Sequence, residues 1–382
     1  MVTQKETRIH NKSSKPDNVV AKENELVSQC LTYEKSLPRF MIDFFYYLKN
    51  SVAISTRHAY LSDILFFCNY LIKETLLTEA EIPSQITADE FNRIKARDIN
   101  RFLGDYCTRY IVETKNLKSV MENHNRSLAR KKSSLAILFK FLFRDEIVEI
   151  NIVDGINPIK LPKPQPDAIK RLQIEEVTMM LDAVSTGDGL TDKELQYWEK
   201  TKYRDKAILV IFTTYGLRLS ELQQLNITSF NFSRNEFTIY RKRGKESVMP
   251  LNKSVIQVIE DYLAYERNFI KEKIRPEDED ALFISLQGKR MTVKSVRKLV
   301  KKYTSIPLGT TREKGYSPHK LRATAASSLI EYGFSIYEVQ NLLDHDNVTT
   351  TQLYSAHRKH AKREIVKSYE LLDEDHDESI DK

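Results

Sequence analysis

Glycine and proline are scarce in this 382-residue chain, at 10 and 11. That excludes collagen-like and low-complexity classes and argues against a turn-rich sandwich or barrel. Cysteine occurs only three times, at positions 30, 68 and 107. The spacing suits neither a disulfide framework nor a metal knot, so reduced thiols in a cytoplasmic protein are expected. Apolar runs are short, and the longest, such as "AILVIF", are far below membrane-spanning length. The polar opening "MVTQKETRIHNKSSKPDN" has no apolar core of a signal peptide.

What is present is 41% hydrophobic residues, 19 Tyr and 17 Phe, enough for two or three folded domains of mainly helical character. The net charge is +7, and the last ten residues, "DEDHDESIDK", carry six acids against one Lys, which leaves +12 on the rest. A basic body with an acidic tail at 373–382 points to a polyanionic partner, nucleic acid first.

Residues 1–30 are polar and expected to be mobile. From "LPRFMIDFFYYLKN" onward, helical patterns follow one another. "STRHAYLSDILFFCNYLIKE" offers Ser55 or Thr56 as caps, and "TADEFNRIKARDINRFLGDYCTRY" reads as two short helices. "NRSLARKKSSLAILFKFLFRDEI" is amphipathic, with Leu128, Leu135, Leu138, Phe139 and Leu142 toward a core. Arg126, Arg130, Lys131 and Lys140 remain for its polar face and, with Arg57, are candidate DNA contacts. "NPIKLPKPQPD" holds four prolines and marks a stiff linker at 158–167 between a domain at 31–157 and a larger one at 168–372. There "KYRDKAILVIFTTYG" reads as a buried helix stopped by Gly216, and "RNEFTIYRKRGKESVMPLN" as a β-hairpin with a basic turn.

"YSPHKLRATAASSLIEYG" carries an N-cap candidate, Ser317, a first-turn Pro318 and a closing Gly333. His319 and Arg322 share one face at its positive end, an arrangement suited to an anion such as phosphate. Other chemistry-bearing residues lie in "TYGLRLSELQQL" (Arg218), "RKRGKE" (Lys242 and Lys245) and "LLDHDNVTTTQLY" (His345 and Tyr354). Phosphodiester transfer needs both non-bridging oxygens held, which two planar guanidinium forks do well. It also needs a proton donor for the departing oxygen, and a Lys can serve. Surrounding cations make a Tyr hydroxyl a useful nucleophile by drawing charge from the phosphoryl group. No metal cluster is evident, and no cofactor is called for.

The order Arg…Lys…His-x-x-Arg…His…Tyr resembles the tyrosine recombinases, or phage integrase family. "TTYGLRLSELQQL", "PHKLRATAAS" and "LLDHDNVTTTQLY" look like its three boxes, with the usual His-to-Tyr spacing. The resemblance implies a mainly α protein with a small β-hairpin or sheet. It implies a helical, SAM-like core-binding domain, an α+β catalytic domain and a C-shaped clamp on double-stranded DNA. It further implies attack by Tyr354 to form a 3′-phosphotyrosyl link, with Arg218, Arg322, His319 and His345 stabilising the transition state. Lys242, chosen over Lys245, would protonate the leaving 5′-oxygen, and Glu221 would buttress Arg218. Strand exchange through a Holliday junction would occur in a homotetramer assembled on DNA from monomers or weak dimers, without ATP.

Two positions depart from the pattern: Asp344 stands where relatives usually have Gly, and Ala323 where many carry His. The layout is closest to single-protein Xer-type recombinases of Firmicutes, which resolve chromosome dimers in the nucleoid, with accessory DNA-bending or segregation proteins as further partners. A mobile-element integrase or transposase, a type IB topoisomerase and a non-catalytic DNA-binding protein stay open as alternatives. Beyond Tyr354, Ala361, Ile365, Tyr369 and Leu372 form an apolar stripe expected to dock on a neighbouring protomer.

Overall fold

The computed structural model describes residues 15–114, 117–161, 170–241 and 245–344. Two compact units result, Met1–Lys163 and Pro164–Lys382. Most of the stretch expected as a linker lies outside the described residues, as do the apolar stripe and the acidic tail beyond Tyr354. Among the described residues no helix is long and apolar enough to cross a membrane.

The first unit runs α1 (Asp17–Ser36), α2 (Ile42–Ser51), α3 (Ile54–Glu74), α4 (Ala88–Asn92), α5 (Ala96–Arg101), β1 (Arg109–Thr114), β2 (Leu117–Glu122) and α6 (Asn125–Arg144). Its core is built on aromatic rings: Phe44, Phe67, Phe91, Phe102 and Phe139 are all buried. Phe67 meets Phe102 edge-on, with centroids 4.9 Å apart, a geometry that adds stabilisation beyond area burial. On α6, Leu128, Leu135, Leu138, Phe139 and Leu142 all face inward, as the apolar spacing requires.

Within the polar opening stretch, helix α1 begins at Asp17. A polar helix persists when it is docked. Cys30 is buried, the ring of Tyr33 lies 5.3 Å from that of His58, and Glu34 pairs with Arg57 on α3. Beside its helices the unit holds an antiparallel hairpin, β1 and β2, with Arg109 opposite Glu122 and Thr114 opposite Leu117. Ile111, Val112, Thr114 and Val120 supply the β-branched residues that favour strands. Finally, α3 starts one residue before the expected caps, with Ala53 at the N-cap and no side-chain hydrogen bond there.

The second unit contains α7 (Ile174–Thr186), α8 (Asp192–Trp198), α9 (Lys202–Tyr215), α10 (Leu219–Gln223), β3 (Phe230–Asn231), β4 (Glu236–Tyr240), β5 (Glu246–Pro250), α11 (Lys253–Tyr262), α12 (Val293–Thr304), α13 (Pro318–Tyr332) and α14 (Ile336–Leu343). The central helix is α9, whose Ile208, Leu209 and Phe212 share one core with Val255 and Ile259 of α11 and Val296 and Val300 of α12. A helix apolar on most sides belongs inside. The expected hairpin is β4–β5, with Tyr240 opposite Glu246, and β3 extends it by pairing Phe230 with Phe237.

The start of α9 rests on buried charge. Glu266 accepts the backbone N–H groups of Tyr203 and Arg204 at 2.6 and 3.1 Å. Burial pushes the Glu266 carboxyl up to about 7, against the lowering effect of those two hydrogen bonds. Asp205 accepts from Arg204, Lys302 and the Tyr303 hydroxyl. With its first turn held this way, α9 delivers its last turn to the site described next.

Candidate active site

The site begins where α9 stops. Gly216 caps the helix at φ 56°, a left-handed conformation that glycine adopts without steric cost. Space also demands glycine: a Cβ would lie 2.6 Å from Leu343 Cδ2 and 3.3 Å from Ala325 Cβ. This gap lets α13 and α14 close on the end of α9. Small buried residues, Ala323, Ala325, Ala326 and Ser327, line the packing side of α13.

Two residues on, Arg218 occupies the N-cap of α10. Glu221, in the third helical position, accepts the Arg218 backbone N–H at 2.7 Å and its Nη1 at 2.7 Å. Glu221 is buried, so this double contact fixes the half-buried guanidinium from behind. Nη2 of Arg218 donates to the Asp344 carbonyl at 2.8 Å.

Helix α13 opens as the sequence suggests, with Ser317 at the N-cap and Pro318 at the first position, although the Ser317 hydroxyl makes no capping bond. Arg322 is buried within the first turns, and its Nη1 donates to the Gly216 carbonyl at 2.6 Å. Its Nη2 donates to the Leu343 carbonyl. His319 is exposed on the same face, three residues earlier. The surrounding protein and the Arg322 charge, in that order, hold its imidazole below the usual histidine range.

Sequence reasoning missed Arg241, the residue directly after β4. Its side chain is 3% exposed. Nη2 donates to the Leu342 carbonyl at 2.9 Å, while Nε and Nη1 have no hydrogen-bond partner among the described residues. Three consecutive carbonyls at the end of α14 are thus each held by a different guanidinium: Leu342 by Arg241, Leu343 by Arg322, Asp344 by Arg218. Cations suit a helix C-terminus, where the dipole is negative. The Asp344 side chain adds a full charge, with Oδ1 3.2 Å from Lys245 Nζ and Oδ2 3.6 Å from Arg241 Nη1. Partial burial would raise the Asp344 carboxyl, but the Lys245 hydrogen bond and the charges of Arg241, Lys245 and Arg218 hold it below the usual carboxylate range.

The structure therefore brings together Arg218, Glu221, Lys245 and Asp344, with Arg322 bridging Gly216 to the same helix end. Lys242, His345 and Tyr354 lie outside the described residues, Lys242 directly after Arg241 and His345 directly after Asp344. Four cations from separate elements around one helix end can hold an oxyanion and stabilise charge as it grows.

The candidate DNA contacts of the first unit divide. Arg57 is buried in its pair with Glu34, and Lys131 is buried against Asp63 at 3.1 Å and over the Phe66 ring at 4.3 Å. Both are internal ties in this structure, not members of an open polar face. Arg130 shares Asp63 but keeps an exposed side chain, and Arg126 and Lys140 are exposed. All three cysteines are buried and unbridged, and burial pushes the Cys107 thiol up to about 12.

Known proteins share this organisation. The pattern of the phage integrase family matches residues 170–361, a span that contains every residue assigned above to the three boxes and the hairpin turn. Tyrosine recombinase XerC of Caldanaerobacter subterraneus subsp. tengcongensis is 31% identical over 348 residues, 88% of each chain. XerC of Natranaerobius thermophilus is 34% identical over 250 residues, 65% of this chain and 78% of that one. Among solved structures, the XerH site-specific recombinase bound to palindromic difH substrate aligns over 94% of this chain and 90% of that one, with TM-score 0.58 at 19% identity. The Tn1549 transposon integrase in complex with circular intermediate DNA aligns over 90% and 99%, with TM-score 0.54 at 18% identity. At such identities these two likenesses speak to fold alone.

Proposed function

Because the chain belongs to the phage integrase family and is a Xer-type tyrosine recombinase, a site-specific DNA-recombining enzyme, we propose that Tyr354 is its nucleophile and that Arg218 and Arg322, which meet at the end of α14, are its phosphate clamp. The Tyr354 oxygen gives up its proton to solvent as it attacks the scissile phosphorus, the bond to the 5′-oxygen breaks, and a 3′-phosphotyrosyl link forms. Lys242 gives its proton to the departing 5′-oxygen. Arg218 and Arg322 hold the non-bridging oxygens, with His319 and His345 adding hydrogen bonds as charge builds. The free 5′-hydroxyl of a partner strand then attacks the phosphotyrosine and reverses the step. The bond energy stays in the covalent link, so no ATP is consumed.

The observation that carries this reading is the arrangement of Arg218 and Arg322. They come from boxes 104 positions apart in sequence and reach adjacent carbonyls of one helix end, Asp344 and Leu343. That end leads directly to His345. Each guanidinium is braced, by Glu221 and by the Gly216 carbonyl respectively. Bracing of this kind is what electrostatic stabilisation of a transition state requires.

Substrate and setting follow from the same reading. The partner is a double-stranded target site, exchange passes through a Holliday junction in a homotetramer, and the work is chromosome dimer resolution in the nucleoid. The XerC identities favour that setting over a mobile element. Sequencing the DNA covalently trapped by the protein in its host tests it. One chromosomal site near the replication terminus supports dimer resolution, and element ends contradict it.

A further inference from the structure

Asp344 and Arg241 form a pair that the reaction as described does not use. The Arg241 guanidinium is buried, and two of its nitrogens lack hydrogen bonds among the described residues. A buried cation left in that condition is strongly destabilising unless an anion stands nearby. The Asp344 carboxylate fills that role, with Oδ2 3.6 Å from Arg241 Nη1. The same carboxylate takes the Lys245 ammonium at 3.2 Å and stands 3.9 Å from Arg218 Nη1. Glu221 is the other carboxylate on Arg218, and it sits behind the guanidinium on α10.

Asp344 sits at φ 52° and ψ 57°, the left-handed region that favours glycine. Asp is among the few other residues that visit it, and here its carboxylate lies where Arg241 just after β4, Lys245 just before β5 and Arg218 at the α10 cap converge. Their natural joint ligand is a single compact anion with several oxygens.

We propose that the Asp344 carboxylate is a resident stand-in for the DNA phosphate. In the free protein it neutralises Arg218, Arg241 and Lys245. When a target site is seated, the scissile phosphate displaces it, and Arg241 becomes an additional phosphate-positioning residue. This rests on the reading of Arg218 as part of the clamp. The consequence is a threshold: the phosphate must outcompete a tethered anion. Only duplexes that gain enough binding energy elsewhere on the protein complete the site. Loosely held, non-cognate DNA leaves the clamp occupied by the protein's own carboxylate.

The test uses the full chain with two readouts. Asp344→Asn removes the charge at nearly constant shape, and Asn tolerates the left-handed backbone; Asp344→Gly removes the charge and relaxes the backbone. At subsaturating DNA, both variants should trap a nicked suicide substrate about fivefold faster than the wild type, the order expected for losing one partly exposed competing charge. Inorganic phosphate should raise the melting temperature of both variants and leave that of the wild type nearly unchanged. In an Arg241→Met background the gain from Asp344→Asn should shrink, because the pair is coupled. Slower trapping by both variants, or equal phosphate stabilisation of variants and wild type, overturns the proposal. Arg218→Ala separates the two readings. If it abolishes trapping while Asp344→Asn brings no gain, the clamp stands and the stand-in fails. If Arg218→Ala traps normally, the clamp itself is wrong and the stand-in falls with it.

Discussion

Arg322 Nη1 donates to the carbonyl of Gly216 at 2.6 Å across 106 positions of sequence. The contact ties the helix that presents the His-x-x-Arg box to the turn that presents Arg218. Gly216 is thus a close-packing point of the site as well as a helix stop, because a Cβ there would meet Leu343, Ala325 and Arg322 together. Gly216→Ala should lower cleavage by displacing α14, and should destabilise the second unit by about 1–3 kcal/mol through overpacking and backbone strain. Urea unfolding with a parallel suicide-substrate assay checks both effects.

Arg322→Ala should reduce cleavage far more than affinity. A phosphate clamp acts most as negative charge accumulates in a transition state, whereas duplex binding draws on many phosphate contacts. Gel-shift titration beside single-turnover trapping distinguishes the two. A variant that binds weakly but cleaves normally at saturation contradicts the assignment.

Glu221 holds Arg218 by two hydrogen bonds from a buried position. Glu221→Gln keeps the shape and one acceptor, so it should fold and retain a measurable fraction of trapping. Glu221→Ala removes both bonds and should lose about 1–3 kcal/mol of stability, together with nearly all trapping. Similar trapping by the two variants argues against an orienting role.

His319 should titrate below the usual histidine range in the free protein, because desolvation by the surrounding protein and the Arg322 charge disfavour its proton. The sign is defined: between that lowered value and about 6.5 the unfolded chain holds more proton, so this group costs stability as pH falls through the window. A bound phosphate should pull the value back up. Imidazole NMR titration with and without target DNA reads the shift, and an unchanged value on binding places His319 outside the phosphate site.

Glu266 gives the opposite slope. Its carboxyl is pushed up to about 7, against about 4.3 in an unfolded chain. Between these values the folded protein keeps a proton that the unfolded chain has lost, so this contribution fades as pH rises through the window and is absent above it. Glu266→Gln should flatten the fall in stability between about pH 4.5 and 7. Parallel stability–pH curves for variant and wild type count against it.

Much of this architecture was legible from local spacing. The apolar stripe of α6, the buried α9 with its Gly stop, the β4–β5 hairpin and the Pro318 start of α13 all follow from patterns within one element. What escaped was set by partners distant in sequence. Lys131 reads as one more basic residue of a polar face until Asp63, 68 positions away, takes it inside. Arg57 is likewise claimed by Glu34, which also explains why so polar a segment as α1 is helical. Arg241 looks like a turn cation in "RKRGKE", and only its bond to Leu342, 101 positions on, shows it to be buried in the site. The β1–β2 hairpin was visible in principle through its β-branched residues, yet helices on either side obscured the change of period.

The central claim is that Tyr354 carries the DNA during strand exchange. A nicked suicide substrate bearing the target site should be incubated with the protein, the covalent product digested with protease and nuclease, and the nucleotide-bearing peptide identified by mass spectrometry. The account predicts a 3′-phosphotyrosyl adduct on Tyr354, and its complete loss in Tyr354→Phe, with half-site binding retained. An adduct on another residue, or one that persists in Tyr354→Phe, would contradict it.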